Sequence, residues 1–132
     1  MPTASEYDRL INNKWKDAQL PEPTEKQAIS GAKALWRKAT GKAFKGKVKI
    51  VKRKNQHTWF KRGTRQQDMV VNPFRYSHGH IEQGWQEIVH SIAHMAHYKL
   101  RPSERPHSDH QLNLEAMLTS YALSDKFKKY RG

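Results

Sequence analysis

Residues 83 to 100, QGWQEIVHSIAHMAHYKL, constrain this chain more than any other stretch. Take about 100° of rotation per residue, with His90 at zero. His94 then falls near +40° and His97 near −20°, while Trp85, Ile88, Val89, Ile92 and Ala96 fall between about 160° and 260°. A helix over this run carries two opposed faces. The apolar one is expected to pack on a sheet. The histidine one is expected to face outward, or into a cleft closed by another part of the chain. Prolines at 102 and 106, in RPSERP, end the helix.

The remaining elements are read outward from that helix. Tyr7, Ile11, Trp15 and Ala18 recur at near-helical intervals over residues 3 to 18. LPEP at 20 to 23 is a proline break. Thr24 with Gln27 has the pattern of a capping box, and Ala28, Ile29, Ala32, Leu35, Trp36 and Ala39 form the apolar stripe of a second helix stopped at Gly41. KGKVKIVKRK alternates Val48 and Ile50 with lysines, the period of a half-buried strand. HTWF at 57 to 60 is expected to pair with it, and MVV at 69 to 71 to form a third strand before Asn72-Pro73. Residues 74 to 84 read as a loop. After the prolines, Ser108 and Gln111 offer a second capping box, and a final helix carries Leu112, Leu118 and Tyr121 toward a core. The order helix, helix, small sheet, helix, helix is that of an α+β domain. The division expected is an N-terminal helix and linker at 1–23, a core at 24–125 and a basic tail at 126–132, within a single domain.

A chain of 132 residues suffices for one core. No apolar run reaches the ~18 residues of a bilayer span, and the start has no secretory h-region. No membrane role and a cytoplasmic setting are therefore expected. Cysteine is absent, which excludes disulfides and thiolate metal sites; a metal would need His, Asp or Glu.

The net charge is +13, unevenly placed. Between Glu25 and Asp68 there is no acidic residue, while Lys and Arg occur 14 times. Such a block requires a counter-charge, and phosphate backbones are the commonest large one. Nucleic acid is the expected partner, through Lys45, Lys47, Lys49, Lys52, Arg53, Lys54, Lys61, Arg62 and Arg65. The plainer reading is a generic basic surface. Trp36, Phe44, Trp59 and Phe60 interleave with the cations; rings of this kind can stack on bases, but Trp36 and Phe44 read more simply as core.

His90 and His94 are one helical turn apart, with Cβ atoms about 5–6 Å apart, close enough for both rings to reach one ion. His107, beyond the proline loop, is placed to swing back as a third ligand. His97, His110 and Glu115 are further candidates for that place. The plainer reading is that these are surface histidines, or cationic partners of phosphate when protonated. The SHGH run at 77 to 80 reads more simply as a loop than as a metal site. Phosphate-loop, dinucleotide-binding and serine-hydrolase signatures are absent.

A strand ending in MVVNP, a helix with His90-x-x-x-His94, a short loop, and His107-Ser108 opening the next helix together resemble the SprT-like and related small zinc metalloproteases of the zincin class. The resemblance spans roughly residues 24 to 125. It implies a zincin-like α+β core, zinc held by His90, His94 and His107, and a protein substrate or partner on nucleic acid. Those enzymes place Glu after the first histidine as the general base; this chain has Ser91. The sequence thus implies either a zinc-binding domain with hydrolysis weakened or lost, or a base supplied from elsewhere, by Glu87 or Glu115. The competing reading is a basic nucleic-acid-binding or nucleoprotein-assembly module with no metal and no catalysis. A third is a structural component whose tails thread between other macromolecules.

Overall fold

Thr24 opens the helix that organises the front half of the chain. Its hydroxyl accepts from the Gln27 backbone N–H, and the Gln27 carboxamide accepts from the Thr24 N–H. Two otherwise orphaned donors of the first turn are thereby satisfied. At the other end Gly41 closes the helix at φ 76°, a left-handed conformation that costs glycine nothing. The structure, a computed structural model, describes residues 4–50, 59–61, 68–71, 84–105 and 107–131. In order these form α1 (Ala4–Ala18), α2 (Glu25–Thr40), β1 (Val48–Ile50), β2 (Trp59–Lys61), β3 (Asp68–Val71), α3 (Gly84–Leu100), α4 (Asp109–Ala122), a 3-10 turn (Asp125–Phe127) and α5 (Lys128–Arg131).

Helices carry the fold, because the strands are only three or four residues long. The described residues are thus mostly helical, with a small strand cluster, rather than a balanced α+β architecture. The strands pair in the order β1-β3-β2, with β1 parallel and β2 antiparallel to β3. Of the expected pairing of residues 57–60 with the lysine-rich strand, the described part does not form: β2 and β1 do not meet, since β3 lies between them. Met69 and Val71 of β3 are fully buried, as befits a central strand. β1 alternates half-buried Val48 and Ile50 with exposed Lys49, as befits an edge.

Nearly all of α3 is enclosed. Every residue between 84 and 97 is buried except His90 and His94, which are half-buried. Its apolar face, with Ile88, Val89 and Ile92, joins Ala28, Ala32 and Leu35 of α2 and Met69 and Val71 of β3 in one cluster. Each large side chain buried there contributes about 1.5–3 kcal/mol. The opposite face is covered by α4, so the histidine face lies in an interhelical seam and is not an outward one.

Trp85 fixes how close α2 and α3 come. A Cβ at Gly31 would lie 2.5 Å from the Trp85 ring and 3.2 Å from Phe127. Phe127 is itself fully buried and meets Trp85 edge-on at 5.4 Å. Residues 126–131 of the segment expected as a basic tail are therefore folded, and Phe127 is core. Arg131 seals the end of α4 by donating to the carbonyls of Ala122, Leu123 and Ser124. On the other side of α4, Trp15 donates to the Thr119 hydroxyl, which anchors α1. No helix among the described residues is long and apolar enough to cross a membrane.

Candidate metal centre

The i, i+4 spacing on α3 brings the His90 and His94 rings together, with centroids 4.6 Å apart and Nε2 atoms 3.1 Å apart. Two nitrogens on one tetrahedral zinc, at about 2.0–2.1 Å each, stand about 3.3 Å apart. The pair matches that separation. His107 comes in from the loop before α4, its ring centroid 4.7 Å from that of His94 and 6.4 Å from that of His90. The three sequence-predicted histidines therefore lie near one another, the third farther out. His107 takes its place with φ 62°, in the left-handed region that a residue bearing a Cβ enters at a cost of about 1–2 kcal/mol. Its backbone N–H donates to Gln111 Oε1 at 2.8 Å, which holds the turn. The second capping box is consequently only half formed. Ser108 caps α4 by accepting from Gln111 N, while the Gln111 side chain reaches back to His107 instead of the cap residue.

Two polar side chains from α4 stand behind the pair. Glu115 hydrogen-bonds His90 Nδ1 through Oε1. That fixes Nδ1 as the protonated nitrogen and leaves the Nε2 lone pair directed at the centre. Gln111 Nε2 lies 3.0 Å from His94 Nδ1. Both are buried, on the face of α4 that also carries Leu112 and Leu118. Glu115, a candidate third ligand by sequence, thus stands behind His90, and Gln111, read from the sequence only as a capping residue, reaches the pair as well. Its signal was an uncharged polar residue on a helical stripe that otherwise calls for apolar ones. Among the described residues, no set of three His, Cys, Asp or Glu side chains is ready-made to hold a metal ion. The pair is formed, and the third ring lies farther out.

His97 and His110, the remaining candidate ligands, gather at a separate point around Glu104. His97 is buried, 4% exposed, and its Nε2 lies 2.9 Å from Glu104 Oε1. His110 Nδ1 lies 2.9 Å from Glu104 Oε2, and the Ser108 hydroxyl donates to Glu104 as well. The Ser108 hydroxyl first, then His97 and His110, hold the Glu104 carboxyl at about 2 against an ordinary 4.5, with burial opposing them. His97 and His110 are thus partners of a carboxylate that ties the proline loop to both helices.

Glu87 is fully buried and accepts from the Ser91 hydroxyl at 2.8 Å. Ser91, next to His90, is therefore a hydrogen-bond donor to the carboxyl group one turn back.

Lys45, Lys47 and Lys49 are exposed along the approach to β1 and on it, alternating with half-buried Phe44, Gly46, Val48 and Ile50. Lysines in such a row also protect an edge strand from pairing with another chain. Lys61 ends β2. Lys52, Arg53, Lys54, Arg62, Arg65 and the SHGH run lie outside the described residues. Trp36 is buried and meets half-buried Phe44 edge-on at 5.4 Å, so both are core rather than stacking platforms.

Comparison with protein-family models, with curated proteins and with solved structures gave no match.

Proposed function

We propose that this chain is a zinc-binding, zincin-like domain of the SprT-like kind that works beside nucleic acid, with peptide hydrolysis weakened or lost. The observation that carries the reading is the close His90–His94 pair with His107 near it, the last in a strained backbone conformation. Strain of this sort persists where the surroundings over-determine it, and it clusters at functional sites. The order of the capped α2, the short mixed sheet, the histidine helix and the helix introduced by His107 supports the zincin-like reading. A cytoplasmic setting fits a chain without cysteine.

The donor set suits zinc: imidazoles, one with a carboxylate on its far nitrogen, and no thiolate. Zinc bound there would supply a Lewis acid and a more acidic water. His90 is held for that role by Glu115, and His107 by its backbone turn. The proposed loss of hydrolysis follows from the carboxylates. Ser91 donates its proton to Glu87, and Glu115 is engaged with His90. A general base is worth roughly 10²–10⁴-fold in rate. The retained role is then binding, with the basic half of the chain directed at phosphates and a protein on the nucleic acid as the other partner.

One observation favours a second reading, a metal-free basic module. The Gln111, His94, His90 and Glu115 contacts satisfy one another in a continuous hydrogen-bonded series. Elemental analysis of the purified protein decides between the two. One zinc per chain, lost in His90→Ala and His94→Ala, is the expected result; a metal-free protein with an unchanged fold supports the second reading and ends the first.

A further inference from the structure

Gln111 stands at a junction where one carboxamide faces two demands. Its Oε1 accepts from the His107 N–H, so its Nε2, an N–H donor, is the atom directed at His94 Nδ1. A donor pointed at Nδ1 requires a lone pair there. A neutral His94 then carries its proton on Nε2. That proton points at His90 Nε2, whose lone pair is available because Glu115 holds the His90 proton on Nδ1. Every hydrogen bond in the series runs the same way, from Gln111 to His94 to His90 to Glu115.

This polarity suits a chain of hydrogen bonds and opposes a metal. An ion at the Nε2 pair needs a lone pair on both Nε2 atoms, and His94 offers one only with its proton on Nδ1. Nδ1–H would then face the Gln111 N–H₂, donor against donor, while the Gln111 oxygen is engaged with His107. Turning the carboxamide over would serve His94 and set the amide N–H₂ against the His107 N–H. A carboxamide has one oxygen and cannot accept both protons in the fork geometry seen here.

We infer that Gln111 is the positioning residue of the histidine centre, setting the tautomer of His94 and thereby holding down the centre's affinity for a divalent metal. The inference rests on the proposed metal-binding reading. It also explains why the histidine pair is closed while the third ring stands off: Gln111 anchors the His107 backbone and His94 through opposite ends of one amide. The substitution that resolves the conflict is Gln111→Glu. A carboxylate of the same size accepts from the His107 N–H with one oxygen and from His94 Nδ1–H with the other. Outer partners of metal-bound histidines typically change metal affinity by about 10–100-fold.

The test has two arms. In chelator-stripped protein at about pH 8, above the ordinary imidazole range, long-range proton–nitrogen correlation spectra read which His94 nitrogen bears the proton. The expected state is Nε2–H in the wild type and Nδ1–H in Gln111→Glu; an Nδ1–H wild type overturns the inference, whether or not the protein binds metal. In the second arm zinc affinity is measured by competition with a chromophoric chelator. Gln111→Glu should bind at least about tenfold tighter than wild type. Asn113→Asp, which adds the same charge on the exposed side of α4, should stay within about twofold, because exposed charges are strongly screened. Equal gains in both variants would mean that charge alone acts, and would overturn the inference. Failure of wild type and Gln111→Glu alike to bind zinc would end the metal-binding reading and the affinity claim with it, while the spectra still judge the tautomer assignment.

Discussion

Glu115 is the side chain on which the histidine pair most depends. Its oxygen holds the His90 proton on Nδ1 and fixes the orientation of the ring. Glu115→Ala should therefore weaken zinc binding by about 10–100-fold, and Glu115→Gln by less, since its amide oxygen still accepts. Chelator competition on the three proteins measures this. Equal affinity across them would show that Glu115 plays no part in orienting His90. The sequence made the His90 and His94 pair legible because helical spacing alone decides that the two rings meet. It left Gln111 and Glu115 obscure, because a polar residue on a buried stripe discloses its purpose only when the facing helix is known. Ser91 and Glu87 show the same limit. Both occupy α3 and both are buried, yet i, i+4 spacing fixes only that they can reach each other, not which other groups they serve.

At the scale of elements, the caps and breaks of the helices were legible because their signals are local. Thr24 with Gln27, Gly41 and the prolines at 102 and 106 act within a few residues of themselves. Strand order is not local. Adjacent strands in sequence usually pair, which favours β1 with β2; the unbroken apolar run of MVV instead claims the middle of the sheet. Packing between helices was equally out of reach, and Gly31 marks where it is tightest. Gly31→Ala would gain about 1 kcal/mol of helix propensity, but its new Cβ meets the Trp85 ring at 2.5 Å. Overpacking of this kind costs about 1–3 kcal/mol. A net loss of up to about 2 kcal/mol is expected in urea melts, and an increase in stability would show that Trp85 can move aside. The loop at 101–108 yields a prediction in pH. Glu104 is held at about 2, below its ordinary 4.5. A depressed carboxyl lends stability above the unfolded value and loses it as pH falls through the folded one. The contribution is thus complete above about pH 4.5 and fades down toward pH 2. Thermal midpoints of wild type should fall across that window more steeply than those of Glu104→Gln. Parallel curves would mean that Glu104 does not hold the loop.

For the whole molecule, charge and fold are separate statements. A net charge of +13 does not specify a helix, and the helices would form with a neutral surface. What the charge supports, on the proposed reading, is an anionic partner and a dependence on salt. Lys45, Lys47 and Lys49 present a row of exposed cations beside the sheet edge, and two explanations compete for them. As edge protection they would oppose pairing between chains, and replacing them with glutamine would promote self-association while leaving the salt slope of DNA binding intact. As phosphate ligands each would release about 0.9 counterion on duplex DNA, so the triple variant should lower the slope of log affinity against log salt by up to about 3. The loss should be similar on unrelated sequences, since phosphate contacts position without specifying. We expect the slope to fall, because the row continues into an acid-free stretch with further cations that edge protection alone does not require. His90→Ala in the same titration should leave the slope unchanged, since His90 is half-buried beneath α4 and bonded to Glu115. A triple variant with an unaltered slope would reduce the lysine row to protection of the edge strand and move the phosphate-binding face to some other part of the basic surface.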